Sequence, residues 1–325
     1  MMNDKLVLFA ENVEATKKGF VNYDISTRRL VALLFAQQNR RVEREAISDC
    51  RKLIKQNTGM FSIFREDIGF YVAALLSLSS NPQQLFSKTL KAYDLLREAK
   101  FKVSEFLVVG AYQIAVQVDE DEYEAVVARA RAYYDDMKDK HFFNTGTDDY
   151  IFAIMLGLTK VDVRTTAEQM ELYYSNLKDQ FWSSQGVQVL AQVLTLGAID
   201  DSIEKRVLAL CDSLRDNKIK LDKGYTLAML GVLSLLPMEI DTIVKEIIEV
   251  QMALKEQKGF GFFSISSQEL LLFVGALVVS EYIEKEVTDI LTATLSTNII
   301  NIIQAQNMAM LNAALAANAS SNANA

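Results

Sequence analysis

The sequence predicts an all-α protein of about seven helical hairpins, each roughly 40 residues long, arranged in two layers. Three observations predict it. Only two prolines, Pro82 and Pro237, punctuate 325 residues. Leu, Ala, Glu, Lys and Gln dominate and no alternating β-branched runs occur, so helix propensity is high throughout. Strongly apolar segments also recur with an alanine near each centre: Ala32, Ala73, Ala111, Ala153, Ala191, Ala228 and Ala276, at steps of 41, 38, 42, 38, 37 and 48 residues.

The elements follow in order. Leu6 to Lys18 is expected as a flanking helix. Apolar segments begin at Leu30 to Ala36 and recur through Ile151 to Leu158 to Leu270 to Val279. Because they are apolar nearly all round, they should be buried on several sides. A polar break follows each, then an amphipathic stretch with a charged outer face: Val42 to Gln56, Leu85 to Lys100, Glu122 to Lys140, Arg164 to Phe181, Ser202 to Asp216 and Ile240 to Gln257. The expected layout is an inner apolar layer and an outer amphipathic one, pairing each inner helix with the outer helix that follows. Such a repeat fits an α/α toroid or an open α-solenoid by length. The apolar character of the first and last inner segments favours the toroid, and capping by Leu6 to Lys18 and Val287 to Ile303 is the solenoid's alternative. A single repeat domain is expected over 1–304. The Ala- and Asn-rich tail, 305–325, is expected to be largely disordered.

Composition narrows the function classes. A formal charge of −8 and no basic stripe with interleaved aromatics argue against nucleic acid as a partner. The longest apolar stretch, Leu270 to Val279, is about half of the ~20 residues a membrane span needs, so no membrane is expected either. The first 20 residues lack a signal-peptide pattern, and a cytoplasmic location is expected. Cys50 and Cys211 stand far apart and His141 is the single histidine. Neither a disulfide framework nor a metal site is indicated, and no cofactor fingerprint occurs.

The candidate site residues come from the loops leading into the inner helices. Three share a signature: Asp67 to Phe70, Thr147 to Tyr150, and Asp222 to Tyr225, with an aromatic three residues before the aligned alanine. One reading is helix capping by Asp67, Thr147 and Asp222. The other begins from topology: the starts of the inner helices face one rim, where Asp67, Asp148, Asp149, Asp222, Tyr150 and Tyr225 would line an acidic, aromatic mouth. Helix N-termini favour ionised carboxylates, which suits cation binding better than acid catalysis. The same loops carry Phe61, Phe64, Phe142, Phe143, Phe181, Trp182, Phe260, Phe262 and Phe263, which read either as the packing that closes each hairpin or as an exposed aromatic ring that could hold a ligand. His141 reads as a solvated or helix-capping residue, and Asp119 to Glu122 as a solvated helix start.

At Asn57 to Ser62 with Arg65-Glu66-Asp67, and again at Phe142-Phe143 through Asp149 to Ala153, the chain resembles a bacterial domain-of-unknown-function family, number four thousand and three in its series. That resemblance implies a bacterial cytoplasmic origin and carries no catalytic residues. Lys258 to Phe263 also resembles the Gly-Phe turns of prenyltransferases and terpene cyclases. The zinc ligands of the former and the acid motif of the latter are missing, so this second resemblance implies only the toroid architecture.

A repeat array without a catalytic constellation is expected to be a non-enzymatic binding scaffold. It would hold a peptide, protein or small molecule at a concave rim formed by Asp67, Asp148, Asp149, Tyr150, Trp182, Asp222 and Tyr225. The alternative is a hydrolase or lyase on an α/α toroid, using paired rim carboxylates.

Overall fold

The computed structural model describes residues 2–141, 143–197, 202–224, 226–261 and 264–286. Among these residues there are fourteen α-helices and no strand. The expected flanking helix at 287–303 and the tail at 305–325 lie outside the described residues. The chain divides into two compact units, one of residues 11–160 and one joining 1–10 to 161–306.

The unit of residues 11–160 contains the second half of α1 (Met2–Lys17), followed by α2 (Ile25–Gln37), α3 (Arg44–Asn57), α4 (Ile68–Ser77), α5 (Pro82–Glu98), α6 (Glu105–Gln117), α7 (Tyr123–Lys140) and α8 (Tyr150–Leu158). Helices α2, α4, α6 and α8 pack in sequence as the inner layer, and α3, α5 and α7 pack outside them. Every residue of α4 is buried, whereas α3 buries only Ile47, Cys50 and Ile54 along one stripe. The contrast between all-round and one-sided apolar helices therefore becomes the two layers. Asn12 fixes α1 to the next turn. Its amide donates to Arg40 O at 3.0 Å and its Oδ1 accepts from Val42 N at 2.9 Å.

In the other unit, α9 (Val163–Leu177), α11 (Ile203–Asp216) and α13 (Ile240–Lys255) form the outer layer. Its inner helices are α10 (Ser184–Gly197), α12 (Thr226–Leu235) and α14 (Ser267–Glu286). The first half of α1 joins this unit, with Lys5 Nζ donating to Ser280 Oγ at 3.0 Å and Phe9 meeting Phe260 and Phe273 at 5.1 and 5.2 Å. The segment expected as a flanking cap is thus an integral helix.

The aligned alanines occupy equivalent seats: all seven are 0–2% exposed and lie on inner helices. Glycine allows the closest approaches between helices. A Cβ on Gly110 would stand 2.2 Å from Ile154 Cδ1, and one on Gly157 would stand 2.8 Å from the backbone of α7. Helix ends are closed by side chains. Asp24, Asn81, Ser104 and Asp162 cap N-termini through their side-chain oxygens. An outer-helix arginine caps the C-terminus of the inner helix that follows, Arg129 Nε donating to Gly157 O and Arg206 Nε to Ser234 O, each at 2.8 Å.

The hairpin pairing differs from expectation. Each outer helix packs most closely along the inner helix after it, as in α3 with α4, α5 with α6 and α7 with α8, not along the inner helix before it. The connections explain this. Those into inner helices, such as 58–67 and 141–149, are longer than 78–81 and 159–162, and give two helices room to lie side by side.

Candidate functional site

Within residues 11–160 the loops entering inner helices lie next to one another. Tyr23, before α2, stacks on Phe70 in the first turn of α4 at 4.1 Å and 11°. A 3-10 turn at Ile63–Arg65, before α4, packs against α6. Lys102, before α6, donates its backbone N–H to the Tyr150 hydroxyl at the start of α8, at 3.2 Å. The alternating topology brings these loops to one end of the unit.

Four predicted site residues fall there, in different environments. Asp67 is exposed at the N-cap position of α4 and makes no side-chain cap bond. Asp148 is half-buried. Asp149 is buried, and its carboxylate accepts from Gly146 N at 2.8 Å, which shapes the loop. Tyr150 is buried as well, edge-on to Phe101 at 4.9 Å and to Tyr134 at 4.8 Å. Arg131 lies over the Phe101 and Tyr134 rings, 5.1 and 4.9 Å from their centroids. Burial, reinforced by Tyr150 and Asp149 nearby, raises the Tyr134 phenol well above its ordinary value. This cluster is a packed joint in which Asp149 and Tyr150 set the loop, leaving Asp67 and Asp148 nearer solvent.

The loop aromatics divide sharply. Phe61 and Phe143 are 96% and 97% exposed, and Trp182, in the other unit before α10, is 100% exposed. Phe64, Phe181 and Phe260 are buried instead, as the packing reading of these loops requires. Phe64 is held edge-on between Phe86 and Tyr93 at 5.7 and 5.1 Å, and Phe260 packs on Phe9. Phe142, Phe262 and Phe263 lie outside the described residues. His141 occupies the C-cap position of α7, its N–H bonded to Met137 O at 2.8 Å.

In the unit of 1–10 and 161–306, Asp222 is largely buried and pairs with Arg215 at 2.9 Å, so it closes the end of α11 and does not cap α12. Tyr225 lies outside the described residues. Beside Asp222 the surface opens into a cleft of about 490 Å³ between the 217–223 loop, α13 and the first turn of α14. Lys218, Lys220, Lys223 and Lys255 line it. These residues were missed in the sequence. The visible trace was the spacing of Lys218, Lys220 and Lys223, which reads as an ordinary solvated loop until α13 and α14 complete the walls.

Among the described residues no group of three or more His, Cys, Asp or Glu side chains is placed to hold a metal ion. No described helix is long and apolar enough to cross a membrane.

Comparison with known proteins places the chain in a family context. The sequence profile described as "Protein of unknown function (DUF4003)" matches residues 13–308. The chain is similar to the uncharacterized protein YeaA of Bacillus subtilis (strain 168), 21% identical over 298 residues that cover 90% of this chain and 88% of that protein. No solved structure matches.

Proposed function

The chain belongs to the family described as Protein of unknown function (DUF4003), and we propose that it is a non-enzymatic binding scaffold whose inner-helix loops hold a peptide or small partner. The observation that carries this reading is the placement of Phe61, Phe143 and Trp182, each fully exposed in a loop that leads into an inner helix. Covering a side chain of this size is worth about 1.5–3 kcal/mol. Aromatic anchors of this kind dominate binding energy when a partner buries them. In this reading Asp67 and Asp148 accept hydrogen bonds from the partner, while Asp149 and Tyr150 hold their loop in shape. Trp182 acts with the loop that carries Asp222 and Tyr225.

The closed α/α toroid belongs to the same proposal. It is supported by the alternation of inner and outer helices within each unit and by the apolar character of the first and last inner helices, α2 and α14. A bacterial cytoplasmic setting is also part of it, supported by the likeness to a Bacillus protein.

Trp182 is the single tryptophan, which makes the test direct. The protein is screened by thermal shift against peptides, sugars and isoprenoid phosphates, since a ligand of the folded state raises Tm by mass action. A true ligand is expected to shift Trp182 emission to the blue, or to lose at least about tenfold in affinity on Phe61→Ser or Phe143→Ser, roughly 1.4 kcal/mol. Ligands that raise Tm yet leave the emission unchanged and survive both Ser substitutions would contradict the proposal.

A further inference from the structure

The cleft in the unit of 1–10 and 161–306 has a chemistry of its own. Four lysines line it, Lys218, Lys220 and Lys223 in the α11–α12 loop and Lys255 at the end of α13, and no carboxylate shares the lining. All four side chains are exposed, and none forms an ion pair or side-chain hydrogen bond among the described residues. Some exposed lysines elsewhere are paired, Lys52 with Asp49, Lys91 with Glu120 and Lys160 with Glu122, and others such as Lys55 stand singly; here four gather around one concavity. In a chain of formal charge −8, four lysines without ion-pair partners border one concavity whose lining holds no carboxylate. Like charges gathered there repel one another, and an anion relieves the repulsion while low-dielectric walls focus the field on it.

The backbone keeps these charges in place. Lys218 adopts a left-handed conformation, φ +61°, at the end of α11, and Ile219 N–H closes back onto Leu214 O at 2.9 Å. Buried Ile219 then anchors the loop between Lys218 and Lys220, two exposed residues that both border the cleft. Gln251 and Gln268 add amide groups from α13 and α14, and Leu271 supplies an apolar floor.

We propose that this cleft binds a multiply phosphorylated small molecule. Lysine is a compact point charge suited to phosphate oxygens, whereas a planar carboxylate is better matched by arginine forks, of which the lining has none. A terminal phosphate carries about −1.5 to −2 at neutral pH, so four lysines match a di- or triphosphate better than a single phosphate. The volume of about 490 Å³ lies within the range of small-ligand sites. A long polyanion is disfavoured because Asp216, Glu256 and Glu269 adjoin the lining residues Asn217, Lys255 and Gln268 along the chain, so the lysines do not continue as a basic run. The proposal uses none of the exposed aromatics; it shares only the α11–α12 loop with the binding-scaffold reading, and its lysine variants leave Phe61, Phe143 and Trp182 untouched.

The full chain is titrated calorimetrically with sodium tripolyphosphate, ATP, inorganic phosphate and a twelve-nucleotide single-stranded DNA. Tripolyphosphate and ATP are expected to bind saturably, raise Tm and weaken as salt increases. The double variant Lys220→Gln, Lys255→Gln is expected to lose at least tenfold in affinity with its ligand-free Tm unchanged, because both side chains are exposed and unpaired. Lys55→Gln, an exposed lysine of the other unit, is expected to bind as the parent does. Absence of saturable binding, equal loss on Lys55→Gln, or no loss on the double variant would overturn the proposal. Inorganic phosphate binding as tightly as tripolyphosphate would overturn the multiply charged ligand. DNA binding more tightly than ATP would replace the small molecule with a nucleic-acid backbone.

Discussion

Cys50 and Cys211 each sit on the buried stripe of an outer helix, α3 and α11. Burial pushes both thiols up from 9.0 to about 11. A thiol whose folded pKa is raised favours the folded state below its unfolded pKa, and that contribution is lost as pH climbs from about 9 to about 11. Two outcomes follow. Both thiols are expected to react slowly with a disulfide reagent at pH 8 in the native protein and rapidly once it is denatured. Denaturant midpoints of the Cys50→Ala, Cys211→Ala variant should fall less steeply than those of the parent across that pH window. Equal slopes, or fast native labelling, would show that the thiols are accessible. The sequence argued against a disulfide or metal role for these cysteines, since neither had a partner at ligand spacing. It did not separate Phe61 from Phe64. The two stand three residues apart, and a tertiary event decides between them: Arg51 donates to Phe64 O at 3.4 Å while Phe86 and Tyr93 enclose its ring.

At the scale of elements, the alanine-centred apolar runs located the inner helices, because a helix buried all round leaves a continuous signature. The capping reading was less successful. Asp67 stands at the N-cap of α4 without a side-chain bond, α8 starts with Asp149 at its N-cap position, and Asp222 is drawn away by Arg215. Such choices depend on neighbours from other helices, which local spacing does not reveal. Gly157 shows how packing can outweigh propensity. Alanine is favoured over glycine inside a helix by about 1 kcal/mol. Yet a Cβ at Gly157 would stand 2.8 Å from Ala130 N and Val126 O, backbone atoms that cannot step aside as a flexible side-chain tip can. Gly157→Ala is therefore expected to destabilise by about 1–3 kcal/mol in denaturant melts, as an overpacked core does. Unchanged or increased stability would mean that α7 and α8 are not in such close contact.

Across the whole molecule, one design of inner and outer helices runs through both units. Three of its loops into inner helices carry the exposed aromatics Phe61, Phe143 and Trp182. Their positions were legible from the repeat, whereas the lysine cleft was not. Lys255 is 32 positions beyond Lys223, and only the packing of α13 and α14 beside the 217–223 loop assembles the walls. Everything else in the account depends on the repeat register, which places Ala73, Ala153 and Ala228 in equivalent buried seats on α4, α8 and α12. The most direct measurement compares denaturant melts of Ala73→Leu, Ala153→Leu and Ala228→Leu with those of Glu168→Ala, a surface position on α9 whose side chain is 66% exposed. Each leucine is expected to cost about 1–3 kcal/mol, and the three costs should be similar. Glu168→Ala should change stability by less than about 0.5 kcal/mol. Leucines as harmless as the Glu168 substitution would contradict the register, and with it the assignment of these loops to the starts of inner helices.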